Sequence, residues 1–120
     1  MAGKLIVRPA TREDIEAFSE EAGKPTIRAW VGDLDGEIVA IGGFARIRGR
    51  WFGFCDLTDD ARPYKMTLMR AAHRAMKAAR EQGIRFIYAD ADRSEPRAMH
   101  WLHSLGFEPL ANSSIHRWRA

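Results

Sequence analysis

The sequence predicts an α/β fold of the mixed α+β kind, built on a mostly antiparallel sheet, and three observations carry the prediction. Strand-type residues run from Thr26 to Leu57, broken only at Asp35-Gly36 and Arg48-Gly49-Arg50, the pattern of a three-strand antiparallel meander. A long helical period then ends at Gly83 and leads straight into a β-rich run, Ile84 to Ala91. A helix followed at once by a strand makes a crossover, which lays that strand parallel to the one before the helix.

Each element has a local cause. Leu5-Ile6-Val7-Arg8 is a short strand ended by Pro9, and Thr11 with a carboxylate three residues on, Asp14, opens a helix. That helix runs to about Ala22, with Ile15, Phe18 and Ala22 at helical spacing and Gly23 and Pro25 as the stop. In the meander Ile27, Ala29 and Val31 alternate with Arg28 and Trp30. Glu37 to Ile47 returns from the Asp-Gly turn, and Trp51 to Leu57 is the third run. Met66, Met69, Ala72, Met76 and Ala79 make one apolar stripe of the long helix. Ser94-Glu-Pro-Arg97 caps a last helix that reaches Leu105 and stops at Gly106, and Phe107 to Leu110 and Ile115 to Trp118 close the chain as weak strands.

The chain has 120 residues, and no repeat or Pro/Gly-rich linker divides them, so one domain over residues 1–120 is expected. A hydrophobic share of 46% with 29% charged residues excludes disordered, collagen-like and coiled-coil classes. The longest uncharged apolar stretch, Ile38 to Ala45, is far short of the roughly 18 residues of a membrane span. The lone cysteine, Cys55, excludes an internal disulfide and any multi-cysteine zinc site, so a soluble cytoplasmic protein is expected. The balance of 19 basic against 16 acidic side chains, net +3, is a mild bias toward anionic ligands.

Several residues invite a functional reading beside a plainer one. His100 and His103 share a helix face, but no third ligand accompanies them and no metal is expected. Cys55, between Phe54 and Asp56, reads as inert packing rather than a nucleophile. Arg46, Arg48 and Arg50 alternate across a turn and point one way. They suit phosphate, a carboxylate or nucleic acid, but three charges make a small footprint, so a solvated hairpin tip is the expectation and nucleic acid is not the expected partner. Trp30, Trp51, Trp101 and Trp118 are too dispersed to define a site.

Ile87-Tyr-Ala-Asp-Ala91, Glu95-Pro-Arg-Ala-Met99 and Leu102-His-Ser-Leu-Gly-Phe107 resemble the fifth strand and following helix of the GNAT N-acetyltransferase superfamily, Leu105-Gly106-Phe107 being the most diagnostic piece. Ala79-Arg-Glu-Gln-Gly83 is similar to the end of that family's cofactor-binding helix. The resemblance covers about Leu5 to Leu110 and looks most like compact members carried by phages and prophages. It implies a sheet with helices on both faces and acetyl-CoA, or another acyl-CoA, as co-substrate. The family's phosphate motif, Q/R-x-x-G-x-G/A, falls on Arg62-Pro-Tyr-Lys-Met-Thr67, where only Arg62 matches. Lys65 and Thr67 replace small residues but add a cation and a hydroxyl, so Arg62, Lys65 and Thr67 are the implied phosphate ligands.

Three further positions depart from the family: Glu95 stands for its Asn, Leu102 for the Tyr that protonates the leaving thiolate, and Trp51 for its basic Glu. Asp56, at the end of the fourth strand, is the carboxylate placed to take a proton from an ammonium acceptor, with a turn or capping role as the plainer reading. Asp90 and Asp92 share that ambiguity. The resemblance implies that a backbone N–H near Leu57 polarises the thioester carbonyl and that the acceptor is an amine of a small molecule or peptide. The short Gly23 to Thr26 segment leaves room for a partner subunit, as in a homodimer, to complete the acceptor site. The alternative is a GNAT-fold binding or assembly protein without catalysis.

Overall fold

Two tight turns set the sheet. At Asp35-Gly36 both residues take positive φ, 51° and 90°, and at Arg48-Gly49 the values are 51° and 80°. Two-residue turns of this hand match the twist of paired strands, and Asp33 Oδ1 accepts the Gly36 N–H at 2.8 Å to brace the first of them.

The computed structural model describes residues 4–14, 26–91, 96–111 and 113–120. Strands β1 (Leu5–Pro9), β2 (Thr26–Leu34), β3 (Glu37–Ile47) and β4 (Arg50–Leu57) lead into a 3₁₀ helix, Asp59–Tyr64. Then come α1 (Lys65–Glu81), β5 (Phe86–Asp90), α2 (Pro96–Ser104), β6 (Glu108–Pro109) and β7 (Ile115–Arg119). The sheet order is β1-β2-β3-β4-β5-β7-β6, and of its pairs only β4 with β5 is parallel, as the crossover requires.

Strand alternation assigns the faces. Phe44, Ile87, Ala89 and Trp118 lie on one face and pack against Met76 and Ala79 of α1, with Leu102 and Leu105 beside them. On the same face Val39 and Ala40 meet Leu68 of α1, and Leu5, Val7 and Trp101 pack around them. The opposite face carries Ala29, Val31 and Ile41, with Ala10 and Phe54 against them. Ile87 is wholly buried, and a side chain of that kind contributes about 1.5–3 kcal/mol by leaving water.

The stripe of α1 differs from the expected one at its start. Leu68 is buried and Met66 is 66% exposed: two residues apart, they lie about 200° apart around the helix, and it is Leu68 that meets Val39 and Ala40 of β3. The N-terminal helix opens as expected: Thr11 N–H donates to Asp14 Oδ2 at 2.8 Å and Asp14 N–H to Thr11 Oγ1 at 3.2 Å, a reciprocal cap. The Thr11 N–H and the Arg8 guanidinium, 3.0 Å away, hold the Asp14 carboxyl below its usual range. The expected continuation through Ile15, Phe18 and Ala22, and the cap at Ser94, lie outside the described residues.

Candidate functional site

The β4–β5 pair is short. Its ladder covers only Trp51↔Ile87 and Phe52↔Tyr88, although β4 continues to Leu57 against β3 and β5 continues to Asp90 against β7. Beyond Phe52 and Tyr88 the strands part, leaving a wedge open toward their C-terminal ends. Gly53 sits at the apex, where a Cβ would lie 3.3 Å from Ile87 Cγ2.

Backbone polarity fills the wedge. The N–H of Thr58 donates to Val39 O of β3 at 2.9 Å, and the Thr58 hydroxyl donates to the same oxygen at 3.2 Å. Successive N–H groups of a strand point to alternate edges, so the N–H of Leu57 points away from β3 and toward the wedge. Asp56 is exposed one residue earlier. Asp56 and Asp90, on the two strands bordering the wedge, face the same side of the sheet by the register of the pair. Asp92, Ser94 and Glu95 lie outside the described residues.

The segment after β4 replaces a glycine turn with a 3₁₀ helix anchored by Ala61, which is 1% exposed. This spends part of the backbone: Ala61 N–H bonds Thr58 O, Lys65 N–H bonds Arg62 O, and Pro63 has no N–H. Anion recognition there falls to side chains. Arg62, Lys65 and Thr67 are all exposed around the start of α1, and among the described residues the ion pair of Arg62 is with Asp59, 3.6 Å away. The N-terminal end of α1 adds a favourable field, while Asp59 and Asp60 oppose it.

On the far side of the wedge, Leu102 of α2 has no proton to donate. Leu102 packs against the cluster of Ile87, Phe107 and Trp118. Trp101 joins Val39, Ala61 and Leu68, so its indole links α2 to the α1 side of the wedge, a role that sequence spacing among four tryptophans gave no sign of. His100 and His103 are exposed, and among the described residues no three His, Cys, Asp or Glu side chains converge on a metal position. The buried His116 is satisfied by a 3.0 Å contact of Nδ1 with Ser114 O.

Cys55 is on the exposed end of β4, although its sulfur is turned against neighbouring protein atoms. Protein atoms crowding its sulfur, and then the adjacent Asp56 carboxylate, push the thiol up to about 11, so it is protonated at neutral pH. A concavity of about 820 Å³ lies not at the wedge but at the opposite end of the sheet, lined by Arg28, Arg46, Arg50, Trp51, Arg85 and Tyr88 among others. No helix among the described residues is long and apolar enough to cross a membrane.

No family model matches the chain and no curated protein matches it. Solved structures do. A Bacillus anthracis str. Ames protein, named as a candidate streptothricin acetyltransferase and solved with acetyl coenzyme A, superposes with a TM-score of 0.71 at 11% identity, covering 98% of this chain and 99% of that one. The ribosomal-protein-S18-alanine N-acetyltransferase of Escherichia coli gives 0.62 at 12% identity over 97% of this chain and 94% of its own. A GNAT-family acetyltransferase from Staphylococcus aureus Mu50 gives 0.61 at 15% identity over 78% and 67%. Identities this low establish a shared fold, and the fold is that of the GNAT acetyltransferases.

Proposed function

We propose, from the fold shared with the GNAT acetyltransferases, that this chain takes an acyl-CoA into the wedge between β4 and β5 and passes its acyl group to an amine of a small molecule or peptide. The observation that carries the reading is the two-pair β4–β5 ladder with the Leu57 N–H turned into the opening. A strand edge that has lost its neighbour must satisfy its N–H groups elsewhere, and an extended amide-bearing chain with a carbonyl at its end suits that edge.

When bound, acyl-CoA supplies an activated thioester. The chain's own groups would then work as follows. Leu57 N–H donates to the carbonyl oxygen, which concentrates negative charge as the amine attacks. Asp56 accepts the proton released by the acceptor ammonium, directly or through water. Arg62, Lys65 and Thr67 hold phosphate at the start of α1. With leucine at 102, the leaving thiolate takes its proton from water.

The test is release of coenzyme A thiol from acetyl-CoA in the presence of a panel of amines. Asp56→Asn should lower the rate with the best acceptor by about 100-fold and leave coenzyme A affinity unchanged. An unchanged rate removes Asp56 from the mechanism. The packing of Leu102 into the core favours the second reading, a fold that binds without catalysis. Saturable acetyl-CoA binding with no turnover on any amine would select it.

A further inference from the structure

The arginines of this chain are not evenly spread. The concavity at the end of the sheet away from the wedge is lined by Arg28, Arg46, Arg50 and Arg85, and a second one of about 440 Å³, sharing Gly83 to Phe86 with it, adds Arg80 and Arg119. No Asp or Glu side chain lines either of them, and the second is also bordered by the terminal residue Ala120. Sequence distance hid this convergence: the six come from β2, β3, β4, α1, β7 and the α1–β5 turn, and the sheet order alone brings them to one end.

Local roles account for only part of the cluster. Arg80 lies in the last turn of α1 and Arg85 four residues beyond its end, where the helix dipole favours cations. Arg28, Arg46, Arg50 and Arg119 have no such partner. Among the described residues none of the six forms an ion pair with a carboxylate. Several are instead stacked on rings. Arg28 lies 5.8 Å over Trp51, Arg50 5.9 Å over Tyr88 and Arg80 5.6 Å over Trp118, while Arg117 adds a fourth pair 5.3 Å over Phe86. Stacking fixes the plane of a guanidinium and leaves its N–H edge for an acceptor.

The aromatic groups are themselves accessible. Phe86 is 40% exposed, and Phe52 and Tyr88, half-buried with centroids 6.0 Å apart, continue the same sheet face. A free phosphate or an acidic peptide would use the arginines and ignore the rings. A single-stranded nucleic acid uses both, because its phosphates pair with guanidinium edges and its unpaired bases stack on aromatic faces. We propose that this end of the sheet is a binding surface for single-stranded nucleic acid. It is independent of the acyl-CoA wedge, which lies at the other ends of β4 and β5.

The experiment is fluorescence anisotropy of the full chain with a labelled oligothymidylate of about 16 nucleotides, titrated at several salt concentrations. The affinity should fall with salt along a slope of about −0.7 per phosphate neutralised, and Arg46→Ala or Arg50→Ala should each flatten that slope by about one such step. Phe86→Ala, at an exposed position, should weaken binding about tenfold without changing the slope. Arg70→Ala, an exposed cation on α1, should change neither. Three results would overturn the proposal: no anisotropy change at low salt, equal or tighter binding of the corresponding duplex, or full affinity in Phe86→Ala alongside a loss in the arginine variants. The last would mean an anion patch that does not read bases. Failure of acetyl-CoA to bind would leave this test unaffected.

Discussion

Trp51 of β4 stands opposite Ile87 of β5, and the next pair, Phe52 with Tyr88, ends the ladder between these two strands. Ile87 is fully buried, so the junction is anchored in the core, while five residues past Phe52 the Leu57 side chain is 45% exposed. The wedge is therefore a built feature with an apex anchored in the core.

At Gly43 the β2 backbone leaves no room for a side chain. A Cβ there would overlap the carbonyl oxygen of Arg28 and lie 2.7 Å from Ala29 Cα, and backbone on a paired strand cannot move aside. Gly43→Ala should cost about 3 kcal/mol, seen as a fall in melting temperature on the order of 10 °C. A variant melting within a degree or two of the parent would mean that the β2–β3 register is wrong here.

Gly106 turns the chain from α2 into the closing strands at φ 94°, and a Cβ would sit 3.5 Å from Trp118 Cδ1. Gly106→Val adds left-handed strain and pushes branched methyls at that indole. A loss of about 2 kcal/mol or more is expected in chemical denaturation, with the slope of the transition unchanged. Parental stability would contradict the placement of this turn.

Cys55 should resist alkylation at neutral pH. Its thiol is raised from 9.0 to about 11, first by the atoms crowding it and then by Asp56. The iodoacetamide rate should therefore rise only toward pH 11, and Asp56→Asn should move the profile to lower pH. The sign for stability follows: the folded chain holds this proton more tightly than the unfolded one, so the cysteine's contribution is intact below pH 9 and is lost as pH rises toward 11. An alkylation profile centred near the ordinary thiol value would contradict the assigned surroundings.

Much of this frame was legible because its causes are local. Asp35-Gly36 and Arg48-Gly49 announce their hairpins, and Glu37–Ile47 begins and ends where alternation and turns place it. The cap between Thr11 and Asp14 is written in four residues. What was not legible depends on neighbours distant in sequence. The run from Thr58 to Pro63 reads as loop, but burial of Ala61 beside Val39 winds it into a 3₁₀ helix. Met66 has the right period and is still exposed, since Leu68 and not Met66 turns toward β3 in the first turn of α1. The closeness of Arg46, Arg48 and Arg50 was visible, but they do not point one way as expected: the β3–β4 register pairs Arg46 with Trp51 and Arg50 with Ile47, which puts Arg46 and Arg50 on opposite faces, and the arrival of Arg28, Arg85 and Arg119 at the same end required the sheet order. Of the candidate site, the position of Asp56 and Leu57 at the end of β4 was readable, but the roles given to them and to Arg62, Lys65 and Thr67 are proposals that rest on the wedge.

Calorimetric titration of acetyl-CoA into the parent chain and into Arg62→Ala, with melting temperatures taken on the same samples, tests the central claim most directly. Arg62 is exposed and its contact with Asp59 is 3.6 Å, so its removal should leave the fold as stable as before. The account predicts saturable binding by the parent, stabilisation of about 2.7 kcal/mol once ligand exceeds the dissociation constant 100-fold, and affinity about tenfold weaker in Arg62→Ala, the loss of one charge-assisted contact. No heat and no thermal shift in the parent at millimolar acetyl-CoA would contradict it.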